Sequence, residues 1–79
     1  LNAKIIMKKE TVTGLGSGYI FVPTPEGYTI ITAVNPNWGY EYCVQGVSAY
    51  LGGDTILFFN KAVPTNVTFT VNVYWYKTS

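Results

Sequence analysis

Residues 66 to 77, Asn66-Val67-Thr68-Phe69-Thr70-Val71-Asn72-Val73-Tyr74-Trp75-Tyr76-Lys77, decide the fold of this chain. Val67, Phe69, Val71, Val73 and Trp75 occupy one phase of a two-residue period. Thr68, Thr70, Asn72, Tyr74 and Tyr76 occupy the other. A helix turns too quickly to sort side chains in this way, whereas a strand with one buried face does it automatically. Almost every residue in the run is β-branched or aromatic, so local preference agrees with the pattern. At ~3.3 Å per residue the strand spans roughly 35 to 40 Å. It is therefore expected to cross the whole domain, with earlier strands laid against its apolar side.

Working back from that strand, short apolar runs are separated by turn residues. Tyr19–Val22 is a strand stopped by Pro23, which cannot donate to a ladder. Pro25 and Gly27 suit positions i+1 and i+3 of the next turn. Tyr28–Val34 is a strand closed by Asn35-Pro36-Asn37. Trp38, Tyr40, Tyr42 and Val44 share one phase, which predicts a strand over 38–45 continuing to Leu51, with a bulge near Gly46. Gly52-Gly53-Asp54 reads as a hairpin turn. Lys4–Thr13 reads as a first strand at a sheet edge, where lysines discourage pairing with other chains. The alternate glycines of Gly14–Gly18 do not meet the phosphate-loop spacing and read as a turn. The sum is an all-β single domain over 1–79: a small antiparallel β-sandwich or jelly-roll-like barrel of about six to seven strands.

Composition restricts what such a domain does. Of the 79 residues, 48% are apolar, 16% aromatic and only 11% charged, where ordinary soluble domains carry about 25% charged residues. That is more apolar material than one small core absorbs, so a homo-oligomer is expected. Residues 54–61, DTILFFNK, sharpen the expectation: Ile56 and Phe58 point one way, Leu57 and Phe59 the other. A strand apolar on both faces is covered on both faces. We expect Leu57 and Phe59, with Tyr74 and Tyr76 on the otherwise polar phase of the last strand, to form the oligomer interface.

A net charge of +1 and the lack of arginine argue against nucleic acid, which needs a basic stripe. No apolar run reaches the ~18 to 20 residues of a membrane span. There is no histidine, and the four carboxylates are dispersed, so no catalytic pair, metal site or cofactor is expected. Cys43, the single cysteine, is expected to be a buried free thiol. Asn66-Val67-Thr68 matches a glycosylation sequon but is too common a tripeptide to carry weight. The surplus of aromatics is what remains. Trp38 and Tyr40 flank a glycine beside a Pro/Asn loop, and flat rings with polar handles suit sugar or protein recognition. Trp38 and Tyr40 are the candidate ligand-binding residues, with Asp54 as a polar partner; core positions for Trp38 and Tyr42 are the competing reading. The chain also begins at Leu1 without a methionine, as a piece of a longer protein would.

The proline-bearing turn, the run Pro25-Glu26-Gly27-Tyr28-Thr29-Ile30-Ile31-Thr32-Ala33-Val34, the aromatic segment at Asn37-Trp38-Gly39-Tyr40 and the closing strand resemble the distal C-terminal domains of bacteriophage tail fibres and receptor-binding or baseplate proteins. The resemblance covers roughly residues 19 to 77 and brings no fixed binding residue with it. It implies a non-enzymatic homotrimeric tail-tip domain of the virion, outside the cell, that binds a host surface saccharide. Two other readings fit the residues: a monomeric carbohydrate-binding module of a secreted bacterial enzyme, and a purely structural trimerisation domain.

Overall fold

Six antiparallel strands account for most of the chain: β1 (Ile5–Thr13), β2 (Ser17–Pro23), β3 (Tyr28–Val34), β4 (Val44–Ala49), β5 (Asp54–Val63) and β6 (Thr68–Lys77). They are seen in a computed structural model that describes residues 4–78, so Leu1, on which the reading of a longer parent chain rests, lies outside the described residues. The strands form two three-stranded sheets, β1-β6-β3 and β2-β5-β4. The expected all-β sandwich is therefore the architecture.

β6 is the middle strand of its sheet. It is paired along its whole length with β1, from Ile5 opposite Tyr76 to Thr13 opposite Thr68, and with β3 on its other side. Its apolar phase, Phe69, Val71, Val73 and Trp75, is buried. These side chains meet Ile20 and Val22 of β2 and Leu57, Phe59 and Val63 of β5 in one core, which Tyr42 and Val12 extend. Leu57, Val63, Val71, Val73 and Trp75 are fully enclosed, and each apolar side chain so buried stabilises the fold by roughly 1.5–3 kcal/mol.

The connections confirm most of the turn chemistry and correct some of it. Tyr28 N–H donates to Pro25 O (3.1 Å), so Pro25 opens the turn and Gly27, at φ +82°, takes the third place, where a type II turn requires a positive φ. A short 3-10 turn over Leu51–Gly53 joins β4 to β5, with Gly52 and Gly53 at φ +78° and +84°. The strand expected from residue 38 begins only at Val44. Residues 35–43 are instead a loop that carries the chain from β3 in one sheet to β4 in the other. The bulge expected near Gly46 is present as a register shift between Val44 and Gly46.

The two links β1→β2 and β5→β6 also cross between sheets, and they touch each other. Gly14 N–H donates to Val67 O (2.9 Å) and Gly16 N–H to Val63 O (2.8 Å), while Val67 N–H closes a turn on Pro64 O (3.1 Å). Gly14 is buried at this crossing.

Candidate functional site

Two surfaces stand out, and they lie in different parts of the sandwich. The first is the loop over residues 35–43. Asn35 Oδ1 accepts from the backbone N–H of Asn37 (2.9 Å), while Asn35 Nδ2 donates to Tyr42 O (2.8 Å). Tyr40 N–H closes a tight turn on Asn37 O (3.0 Å), with Gly39 at φ +77°. Asn60 of β5 holds the far side: its Oδ1 accepts from Cys43 N–H and its Nδ2 donates to Glu41 O, both at 2.9 Å. Tyr40 and Tyr42 tuck under the loop against Phe69, at ring-centroid distances of 5.3 and 6.1 Å. Trp38, at the apex, is 100% exposed. The result is a large flat ring held up on a braced turn, flanked by amide groups.

A charged pair at the foot of the loop adds to the bracing. Lys61 Nζ lies 2.6 Å from Glu41 Oε2 and 5.2 Å from the centre of the Tyr42 ring. The hydrogen bond from Lys61 holds the Glu41 carboxyl below its ordinary value and pushes Lys61 up. Burial, with the nearby Glu41 charge, raises the Tyr42 phenol above its usual 10.0. A raised phenol pKa favours the neutral ring in the folded state. That contribution to stability is complete below pH ~10 and is lost as pH climbs towards the folded value. In an alkaline titration followed by phenolate absorbance, the last phase is expected to come from Tyr42 and to lie above the ordinary phenol value. Glu41→Gln should bring it down part of the way, because the carboxylate charge goes and the burial stays. An unchanged last phase in Glu41→Gln would show that Glu41 does not act on this ring.

The second surface is the outward side of the β2-β5-β4 sheet. Phe58 of β5 stands between Tyr19 of β2 and Gly46 of β4, and Ile56 stands between Phe21 of β2 and Ser48 of β4. Tyr19 and Phe21 meet edge to face at 5.6 Å, and Phe21 leans on Tyr50 at 5.0 Å. Tyr19, Phe21, Tyr50 and Phe58 are all exposed, and Ile56 is covered without joining the core cluster. On these three strands the charged residues are Asp54 and Lys61, both near the ends of β5.

Several expectations are corrected by this arrangement. Leu57 and Phe59 are buried inside the sandwich and cannot meet another subunit; it is Phe58, with Ile56, that faces outward. The reading of β5 as apolar on both faces holds, with the faces exchanged. Tyr74 and Tyr76 do lie outward, but on the other sheet, beside Met7 and Ile5 of β1, so the four residues form no common surface. Asp54 opens β5 opposite Pro23, roughly 20 Å along the strand from the Asn60 that braces the Trp38 loop. Trp38, Tyr40 and Asp54 are thus not one site, and Tyr40 is half-buried as a support for the loop. Cys43 is exposed at the base of the loop rather than buried. The signal for the aromatic face lies in Tyr19-Ile20-Phe21-Val22, which is apolar on both phases, as β5 is, and not only a short strand.

Among the described residues there is no enclosed pocket and no group of three His, Cys, Asp or Glu side chains placed to hold a metal ion. No helix among them is long and apolar enough to cross a membrane. The fold and its surfaces define a six-stranded β-sandwich with an aromatic outer face and a braced, tryptophan-tipped loop. The sequence matches no family model, no curated protein and no solved structure.

Proposed function

We propose that this chain is a non-enzymatic tip domain of a bacteriophage tail appendage, assembling as a homotrimer and binding a host surface saccharide through the Trp38 loop. The observation that supports binding is the complete exposure of Trp38 on a loop fixed from both sides by Asn35 and Asn60. An indole left in water gains nothing for the fold, whereas against the C–H face of a pyranose it buries apolar area with little further ordering cost. Asn37, next to Trp38 in the chain, is held by Asn35 through its Nδ2 (2.9 Å) and has its Oδ1 left for hydroxyl recognition. A single such site is weak, and display of several copies on one assembly multiplies it.

The test is Trp38→Ala. Because the ring touches no core residue, stability should stay within about ±0.5 kcal/mol, read as an unchanged denaturation midpoint. Retention on bacterial cell walls and capsular saccharides should fall to background. Binding that survives the substitution would remove Trp38 from the site and the loop from this reading.

A further inference from the structure

The outward aromatic face of β2-β5-β4 has the features of a surface made for another copy of this chain. We propose that copies associate through it with the aromatic ridge on β2 of one seated on the Gly46/Ser48 shelf on β4 of the next. This rests on the assembly half of the function proposed above and gives it a surface and a register.

Sheets associate by their edges or by their faces, and here the edges are blunted. The pairing of β2, β3 and β4 with their neighbours shifts register at Ser17/Tyr19, Ile30/Thr32 and Val44/Gly46. Such irregularities twist a strand out of line for further pairing. On β1 the charged Lys8 and Glu10 fall on the same phase as the inward Ile6 and Val12, another known device against edge pairing. The faces remain, and the two differ. The β1-β6-β3 sheet presents Thr11, Thr13, Thr68, Thr70 and Lys9 over one half of its outer surface and Ile5, Met7, Tyr74 and Tyr76 over the other, so its apolar groups share the face with polar ones and a lysine. The β2-β5-β4 sheet presents rings and has no charge between Asp54 and Lys61.

Area and shape then point to a second copy. With 150 to 250 Å² for a whole aromatic side chain, the exposed 41%, 36%, 53% and 42% of Tyr19, Phe21, Tyr50 and Phe58 amount to roughly 350 Å². That is an apolar centre for the ~800 Å² per partner of a standard interface, and a sandwich measuring 40 × 28 × 17 Å has face enough for the polar rim. The face is also complementary to itself. Tyr19 stands level with Gly46, and Phe21 level with Ser48, on opposite sides of β5. Rotation about an axis running along β5 preserves height along the strands and carries the β2 side of one copy onto the β4 side of the next. Large rings then meet a glycine and a serine, beside the Phe58 ring that lies 4.0 Å from where a Gly46 side chain would begin.

Paired cysteines test this register. In a Cys43→Ser background, Phe21→Cys and Ser48→Cys on one chain lie two strand spacings apart, roughly 9.5 Å. That is beyond the ~7 Å that a disulfide can bridge between Cα atoms. Mild oxidation is therefore expected to yield covalent oligomers from the double variant, with little from either single variant, alongside light scattering of the uncrosslinked protein. Cross-linking establishes the surface: with a mass near three times 8.7 kDa the trimer stands as well, and with a dimer mass the surface stands and the trimer falls. A trimer that does not cross-link overturns the surface and leaves the assembly reading intact. A monomer at high micromolar concentration overturns both, as efficient cross-linking of Phe21→Cys alone overturns the ridge-on-shelf register.

Discussion

Gly14→Ala is expected to destabilise the domain by about 3 kcal/mol or more, although it adds a single methyl group. A Cβ at this position would collide with the carbonyl oxygen of Pro64 and would lie 2.5 Å from Val63 O and 2.7 Å from Val63 Cγ1. Two of the three obstacles are backbone, which cannot rotate aside as a side-chain tip can. Overpacking a tight site costs typically 1–3 kcal/mol when side chains absorb it, so the figure here belongs at or beyond the upper end. Relief would require separating the β1→β2 and β5→β6 links, which would stretch the Gly14 N–H to Val67 O and Gly16 N–H to Val63 O bonds that join them. A domain of this length has about 4 to 12 kcal/mol in all. The midpoint of urea denaturation should therefore drop steeply, and a variant already partly unfolded in water is within range. Gly16→Ala is the control: its nearest neighbour would be Thr65 Cγ2 at 3.7 Å, so its cost comes only from φ +79°, about 1 kcal/mol. Equal midpoints for the two variants would show that the links do not meet as closely as described.

Gly14 also marks where reading the sequence reaches its limit. Glycine spacing and the lack of a following helix are local facts and mark the turn at residues 14–16, while Ser17 and Gly18, expected in the same turn, already belong to β2. That two such links touch, one from each end of the chain, is set by sheet order, and no residue in either link announces it. The same divide runs through the rest of the molecule. β6 was legible because its two phases differ in polarity, so burial of one face follows from the letters. β5 was legible only in part. Its phases are equally apolar, and whether Leu57 or Phe58 turns inward depends on which side of the sheet meets β6. The loop at 35–43 departs from its expected strand for a related reason: Trp38, Tyr40, Tyr42 and Val44 alternate as a strand would, yet three different environments produce the pattern. Trp38 stands in water, Tyr40 and Tyr42 wedge under the loop against Phe69, and Val44 begins β4. The turn residues of Asn35-Pro36-Asn37 and the glycine at 39 were the better guide there, since they satisfy backbone groups that a strand would have left to a neighbour.

The contrast between Leu57→Ala and Phe58→Thr tests that inversion of β5 and the proposed association together. Leu57 is fully enclosed in the core formed with β6. Its truncation leaves a cavity in a domain with little else to collapse, and about 2–5 kcal/mol should be lost, a large share of the total. Phe58 is its neighbour in sequence and its opposite in environment, exposed in the single chain between Tyr19 and Gly46. Threonine keeps the strand preference there, so the isolated domain should lose only about 1 kcal/mol or less. The oligomer should respond in the reverse order. Phe58→Thr removes a ring from the centre of the proposed interface, where truncation of an anchor costs 2 kcal/mol or more, a shift of at least about thirtyfold in dissociation constant. The expected result is one variant with a much lower denaturation midpoint and another that keeps its midpoint and comes apart, measured by denaturation at low concentration and light scattering at high concentration. If Phe58→Thr lowers the midpoint as Leu57→Ala does, the outward face is part of the core. If it folds and remains assembled, copies meet elsewhere, and the charge-free aromatic face must be explained by a different partner.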